Sequence, residues 1–343
     1  MATPTLRARR RLGPIIALAG LALGGVALAA CGDERAAGDG PTVASTTVAS
    51  TTVAPSTVAP TTVDTTTVDT TPEAAGGTTT VVTKPPAPVP YQVDATIRDF
   101  AVDIPAEIPS GFVRVTATNA GSIGHHLILA RIADGTTYDQ WLATFHENEF
   151  AAEGLLTFYG GPNGVAPGAS VSTEVNLAPG TYVAFCLIHA ADGASHAAHG
   201  MMAPVVVTDD GIATDLSALG VEGTISLTEN EFTISPGFDG QGRLLVTNDG
   251  AEVHEIVITH LGEGATFEEL RDSLAGGGSP EGTGLSGEYE VTQGVTAVSP
   301  GVSIVVELDL AEGDYVLSCL SPDFSDFLPH TMHGEITLVH YPA

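Results

Sequence analysis

Cysteine and positive charge are scarce in this 343-residue chain. Three cysteines are too few for a disulfide scaffold in a chain of this length. Eleven Lys and Arg stand against 41 Asp and Glu, a formal charge of -30. A field of that sign repels nucleic acid and anionic lipid head groups. Nucleic-acid binding is therefore excluded, and a basic partner fits better. Catalytic signatures are missing too: the chain has no nucleophile elbow, no zinc-binding helix motif and no phosphate-cradling glycine loop. Hydrolase and nucleotide chemistry have no support.

The arginines that exist cluster at the start. Arg7, Arg9, Arg10 and Arg11 precede an apolar stretch over residues 15–30 that ends Leu28-Ala29-Ala30-Cys31. Charge, apolar run and small-residue cleavage site in that order read as a secretory signal over residues 1–30. The run is shorter than the roughly 20 residues a bilayer crossing needs. A cysteine directly after Leu-Ala-Ala resembles the lipobox of bacterial lipoproteins. That resemblance implies that Cys31 becomes the first mature residue and carries a lipid, anchoring the chain to a membrane. An ordinary signal with an incidental cysteine is the alternative, and Arg9-Arg10-Arg11-Leu12 leaves twin-arginine export open. Cleavage would remove four arginines and no acid, moving the formal charge from -30 to -34. Residues 31–90 are mostly Thr, Val, Ala and Pro, with Thr-Val-Ala-Pro and Thr-Val-Asp-Thr repeats. Such a segment builds no core and reads as a disordered linker open to O-glycosylation. At ~3.1 Å per residue in polyproline form it reaches well beyond ~100 Å.

The texture changes at Tyr91, and the remainder repeats itself. Asn119-Ala120-Gly121 leads to His125, and Asn248-Asp249-Gly250 leads to His254 at the same spacing. Leu177-Ala178-Pro179-Gly180-Thr181-Tyr182-Val183 runs into Cys186, and Leu310-Ala311-Glu312-Gly313-Asp314-Tyr315-Val316 runs into Cys319. The offset grows from 129 to 133 residues between these pairs, so the second copy holds a four-residue insertion. Two domains are expected, over residues 91–210 and 218–343. Each reads mainly as strands: Val302, Ile304, Val306, Leu308 and Leu310 alternate with mostly polar neighbours, and Val171, Val175 and Leu177 echo them. Pro167-Gly168 and Pro300-Gly301 mark the preceding turns. One helix per copy is expected, with Tyr138, Trp141, Leu142 and Phe145 on one face and Thr137 as cap. Thr266, Phe267, Leu270 and Leu274 repeat it. The fold class is all-β, two tandem antiparallel sandwiches each carrying one short helix.

One constellation carries chemistry. Cys186, His196 and Met201 fall on a single loop between two strand patterns, and His125 precedes the apolar run 127–129. Two imidazoles and a thiolate in a plane, with a weak thioether on the axis, are the donors that blue copper sites require. Asn-x-Gly-x-x-x-His, then Cys-x(9)-His-x(3)-Gly-Met, resembles the cupredoxin family. The resemblance spans residues 91–343 as two copies. It implies Greek-key sandwiches, copper as cofactor, and His125, Cys186, His196 and Met201 as ligands. In the second copy His254, Cys319 and His330 match, while Glu335 stands at the methionine position; the implied ligands there are His254, Cys319, His330 and Glu335. A carboxylate is a harder, anionic donor than a thioether, so copper there would have a lower potential. A degenerate second site is the alternative. His189 competes with His196 but lacks a methionine five positions on. His199 and its counterpart His333 read as neighbours of the site or as exposed, and His126 faces away from His125 if the segment is extended. A Cys186–Cys319 disulfide would leave the accompanying histidines unexplained.

The resemblance implies an electron carrier outside the cytoplasm working with an unidentified redox partner. A copper-binding or delivery protein without redox duty uses the same ligands. A two-domain copper oxidase or reductase is disfavoured, because neither cysteine is flanked by histidine and no His-x-His occurs.

Overall fold

A computed structural model describes residues 88–229, 231–275, 285, 287–326 and 328–342. The signal over residues 1–30, Cys31 and the linker to residue 87 lie outside the described residues. No helix among the described residues is long and apolar enough to cross a membrane.

The first half runs β1 (Tyr91–Arg98), β2 (Ala101–Asp103), β3 (Glu107–Pro109), β4 (Gly111–Asn119), β5 (Ile128–Ile132), α1 (Tyr138–Glu147), α2 (Glu149–Glu153), β6 (Leu156–Phe158), β7 (Pro162–Asn163), β8 (Ser170–Leu177), β9 (Gly180–Phe185) and β10 (Met202–Thr208). The second runs β11 (Gly223–Thr228), β12 (Glu231–Ile234), β13 (Gln241–Asn248), β14 (His254–Leu261), α3 (Phe267–Ala275), β15 (Tyr289–Val298), β16 (Ser303–Asp309), β17 (Gly313–Ser318) and β18 (Ile336–Tyr341). Strand order repeats between them. In one half β2-β1-β4-β8 packs over β3-β10-β9-β5-β6; in the other β12-β11-β13-β16 packs over β18-β17-β14-β15. The expected purely antiparallel pairing is corrected in three places: β1 and β4, β11 and β13, and β3 and β10 pair parallel.

The alternation read along residues 302–310 places Ile304, Val306, Leu308 and Leu310 in the core. Val305, on the opposite face, is also buried, against Phe112, Leu216 and Leu219. The Leu-Ala…Gly…Tyr repeat has a local cause. The Tyr182 hydroxyl donates to the Ala178 carbonyl at 2.8 Å, and the Tyr315 hydroxyl to that of Ala311 at 3.2 Å. Each tyrosine pins the corner leading into its cysteine strand. Thr137 caps α1 by accepting from the Gln140 N–H at 3.2 Å, and the Gln140 side chain accepts from the Thr137 N–H at 2.9 Å, a reciprocal capping box. Trp141 is fully buried. The expectation of one helix in the first copy is corrected: α2 follows α1. Asn148 takes extended φ/ψ of -160° and 104°, ending α1, and its side chain caps α2. The indole N–H of Trp141 then donates to the Ala152 carbonyl of α2 at 3.1 Å.

The halves are not beads on a string. β8 pairs with β16, fusing two four-stranded sheets into one of eight, and β7 of the first half pairs with β15 of the second. Beside this seam, close backbone approach within each half requires glycine. A Cβ on Gly161 would lie 2.1 Å from the Leu127 carbonyl oxygen, and one on Gly294 would lie 2.0 Å from that of Ile256. Across the fused sheet runs a charge row. Arg114 of β4 bonds Glu307 of β16 at 2.6 Å and Glu174 of β8 at 3.5 Å, and Arg243 of β13 also bonds Glu174. Glu174 is buried beneath its two arginines. Truncating it leaves two guanidinium groups facing each other across the seam. Glu174→Ala is expected to lower unfolding stability by about 1–3 kcal/mol in urea titrations. The deficit should shrink in high salt as the exposed repulsion is screened.

Candidate metal centre

The turn before each first histidine is built by an asparagine. The Asn119 amide donates at 2.8 Å to the carbonyls of both Ile123 and Val165, and its Oδ1 accepts from the Gly121 N–H at 2.8 Å. Asn248 does the same to Glu252 and Val298 at 2.7 Å, and accepts from Gly250 at 2.9 Å. Glycine follows two positions later because a side chain on Gly121 would run into Asp99. His125 is then fixed by a two-way backbone bridge to Val165. Its ring, at 0 % exposure, points inward.

The loop after β9 brings the other donors. His125 Nδ1 lies 3.2 Å from His196 Nδ1, which lies 3.5 Å from Cys186 Sγ. The three donor atoms all fall within 4.8 Å of one another. Met201 is fully buried in the same core as Cys186. Its N–H donates to the His196 carbonyl at 2.9 Å and its carbonyl accepts from the Cys186 N–H at 3.2 Å. In the second half His254, Cys319, His330 and Glu335 gather within 4.8 Å, all buried. Glu335 Oε2 sits 2.8 Å from His254 Nδ1 and 3.3 Å from His330 Nδ1; Cys319 Sγ lies 3.5 Å from His330 Nδ1. Glu335 holds the backbone position of Met201: its N–H donates to the His330 carbonyl and its carbonyl accepts from Cys319. Cys186 and Cys319 are both free thiols in separate clusters, so they form no disulfide with each other.

Burial sets the electrostatics. It pushes the Cys186 thiol up to about 12, against N–H bonds from His126 and Ile188 that favour the thiolate. Cys319 is raised as well, by burial and then by the negative charges of Glu335 and Glu255. His196 is pulled down to about 4 by burial and by His125 beside it. His125 is lowered too, by burial against its bond to Asp99, so both rings favour the neutral form, in which an imidazole nitrogen can act as a ligand. His330 behaves oppositely. Burial would lower it, but hydrogen bonds to Glu335 and Glu252 outweigh burial and raise it. In the second cluster one oxygen of Glu335 and Nε2 of His254 are buried with no hydrogen-bond partner. A buried carboxylate left half-satisfied is costly unless a cation completes it.

Several residues around the centres carried no sequence signal. Asp99, in the β1–β2 turn, accepts from His125 Nε2 at 3.2 Å and from Ser122 at 2.6 Å. Those Ser122 bonds, then its bond to His125, hold its carboxyl below the usual range. Glu252 takes the outer nitrogen of His330 at 3.1 Å. Such outer carboxylates fix ring tautomer and orientation. Phe100 has a left-handed φ of 62° and packs edge-on over His196 at 5.3 Å. His199 is held by Asp192 at 3.1 Å and lies against Phe100, on the rim rather than in the cluster. His189 bridges Ser195 instead of joining the donors. His126 does turn from the cluster, yet it is not idle: its Nε2 accepts from the Leu187 N–H at 2.8 Å, beside Cys186.

No family model matches the chain, and no curated protein matches it. Among solved structures, dithionite-reduced auracyanin of Roseiflexus castenholzii is 21 % identical at a TM-score of 0.24, covering 34 % of this chain and 96 % of that one. Auracyanin A, a "blue" copper protein of Chloroflexus aurantiacus, is 19 % identical with a TM-score of 0.25, covering 35 % and 100 %. The copper-containing nitrite reductase of Thermus scotoductus is 14 % identical with a TM-score of 0.20, covering 73 % of this chain and 61 % of that one. Scores this low leave the chemistry to be argued from the chain's own side chains.

Replacing Asn119 takes one donor from two carbonyls, that of Ile123 and that of Val165, of which Val165 still accepts from the His125 N–H. Asn119→Ala is expected to cost about 1–3 kcal/mol in chemical denaturation of the metal-free protein. A loss within error would show that the turn before His125 holds itself.

Proposed function

We propose that the chain is an extracytoplasmic copper protein whose first half performs one-electron transfer. The observation that carries the reading is the inward convergence of two neutral imidazole nitrogens and one thiol sulfur, all buried, with Met201 beside them. Soft thiolate and thioether with imidazole suit copper, and a bound copper ion supplies a one-electron couple that needs no proton. The residues present fit that role. His125 and His196 offer Nδ1, and Asp99 holds the outer nitrogen of His125 so that its ring cannot turn away. Two backbone N–H groups on Cys186 favour the thiolate that copper requires. Full burial excludes water and limits the rearrangement that a charge change would otherwise drive. Phe100 and Ile123, both partly exposed, form an apolar rim through which a partner can approach.

In the second half Glu335 would replace the thioether, with Glu252 and Glu229 close to the rings. Four acidic or thiolate groups around one ion favour Cu(II), so this centre is the lower in potential. A copper-holding or delivery protein would use the same ligands, and slow electron exchange with tight affinity would mark it out from a carrier. We assign a carrier rather than a turnover catalyst because Phe185 and Leu187 flank Cys186, and Ser318 and Leu320 flank Cys319. For location we infer export through residues 1–30, lipidation at Cys31 and a tether to residue 90, placing residues 91–343 outside the membrane face. Against a charge of -30, the redox partner is expected to be basic.

Copper added to the purified protein should produce an intense visible thiolate-to-copper absorption that Cys186→Ser removes for the first centre and Cys319→Ser for the second. Glu335→Met should raise the second centre's reduction potential towards that of the first. A copper-loaded wild type with no such absorption would overturn the reading.

A further inference from the structure

The two cysteine loops are hydrogen-bonded to each other through the seam between the halves. His126 follows the first ligand candidate of its half and Glu255 follows the corresponding one of the other, at the same offset of 129 residues. Each reaches the loop of its own cysteine. His126 Nε2 accepts from the N–H of Leu187, directly after Cys186, at 2.8 Å. The Glu255 carboxylate accepts from the N–H of Leu320, directly after Cys319, and the Glu255 N–H donates to Cys319 Sγ at 3.4 Å. Between them stands Asn163. Its amide donates to Glu255 Oε2 at 3.2 Å, and its chain neighbour Pro162 accepts from the N–H of Leu127, directly after His126, at 2.9 Å.

Asn163 is positioned for this by the seam itself. It lies on β7, paired with Gly294 of β15, and is buried. Its Oδ1 also accepts from the Gly164 N–H at 2.9 Å, which fixes the amide's orientation. His126, Asn163 and Glu255 form part of the wall of a cleft of about 560 Å³, so the link passes through protein where open space would otherwise intervene. A linker-joined pair of independent domains would have no reason to line up a buried histidine, a buried amide and a half-buried carboxylate in one file.

We propose that Leu187–His126–Asn163–Glu255–Leu320 is a through-bond link carrying electrons between the two centres, an inference that rests on the copper reading of both clusters. The direction follows from the donor sets. With copper held at both, one electron would leave the reduced, carboxylate-bearing second centre and arrive at the oxidised, thioether-bearing first. The second centre is oxidised by one unit and the first reduced by one; no bond forms or breaks and no proton moves. The electron enters from an external one-electron donor. The protein is then an ordered two-centre relay instead of two carriers on one tether. Asn163 acts as a positioning residue, aligning His126 with Glu255.

The test uses the full chain in metal-free and copper-loaded forms. In the metal-free protein, Asn163→Ala should shift the Leu187 and Leu320 amide resonances together in ¹⁵N spectra; if neither moves, the hydrogen-bonded link is refuted whatever the metal. In the loaded protein, photochemical reduction should be followed by a concentration-independent exchange phase between the centres. Asn163→Ala, or Asn163→Gln if alanine loosens the seam, should slow that phase several-fold while both copper absorptions and EPR signals persist. Glu255→Gln, which keeps an acceptor for Leu320 and Asn163, should retain the rate. An unchanged rate in the Asn163 variants with both signals intact overturns the proposal. So does a slowing that appears only with loss of one centre's signal. A wild type with the paired amide shifts but no thiolate-to-copper absorption would instead condemn the copper reading and leave the link as a structural seam.

Discussion

The structure turns on a cost that protein atoms alone leave unmet: electron-pair donors buried face to face. In the first half two imidazole nitrogens and a sulfur point at one another out of water. In the second, two imidazoles, a sulfur and a carboxylate do the same, and one carboxylate oxygen has no partner at all. Such groups are expensive to bury without compensation. Everything around them resists relaxation. The asparagine staples hold the turns, the tyrosine corners aim the cysteine strands, and outer carboxylates lock the rings. A cation at the convergence is the simplest compensation, and the softness of the donors selects among cations.

The same scaffold then differs in a few side chains, and those differences set direction. Met201 against Glu335 exchanges a thioether for a carboxylate at equivalent backbone positions. His126 against Glu255 changes the charge behind each cysteine, from a histidine held neutral by burial to a carboxylate raised to about 7, with burial its main cause. The carboxylate of Glu335 in place of a thioether makes the second centre the more negative. The halves are also not free to drift, because the eight-stranded sheet, the Glu174 charge row and the β7–β15 ladder make them one body. A potential difference across a rigid seam is what a relay needs, and a flexible pair of domains would waste it.

Much of this was legible in the residues. The Asn-x-Gly-x-x-x-His and Leu-Ala…Tyr repeats marked the equivalent turns and corners, because each encodes a hydrogen bond that closes within a few positions. Thr137 and the apolar spacing of Tyr138, Trp141 and Phe145 gave the helix, since a capping box is equally local. What could not be read was non-local. Asp99 and Glu229 reach the histidines from hairpin turns some 25 residues earlier, and nothing in their neighbourhood marks them. The parallel pairing of β1 with β4 depends on which edges the fold leaves open. The fusion of the halves was invisible because β8 and β16 alternate as any half-buried strand does. Only assembly shows that their edges meet. His126 was read correctly as facing away from the cluster, but what it faces belongs to the other half.

The central claim is that each convergence of buried donors is a site for one copper ion. Native mass spectrometry of residues 91–343 titrated with copper, then exposed to a competing chelator, tests it most directly. The account predicts two chelator-resistant coppers in the wild type, falling to one when either Cys186 or Cys319 is replaced by serine. Copper that the chelator strips completely, or a stoichiometry that ignores both cysteines, would contradict it.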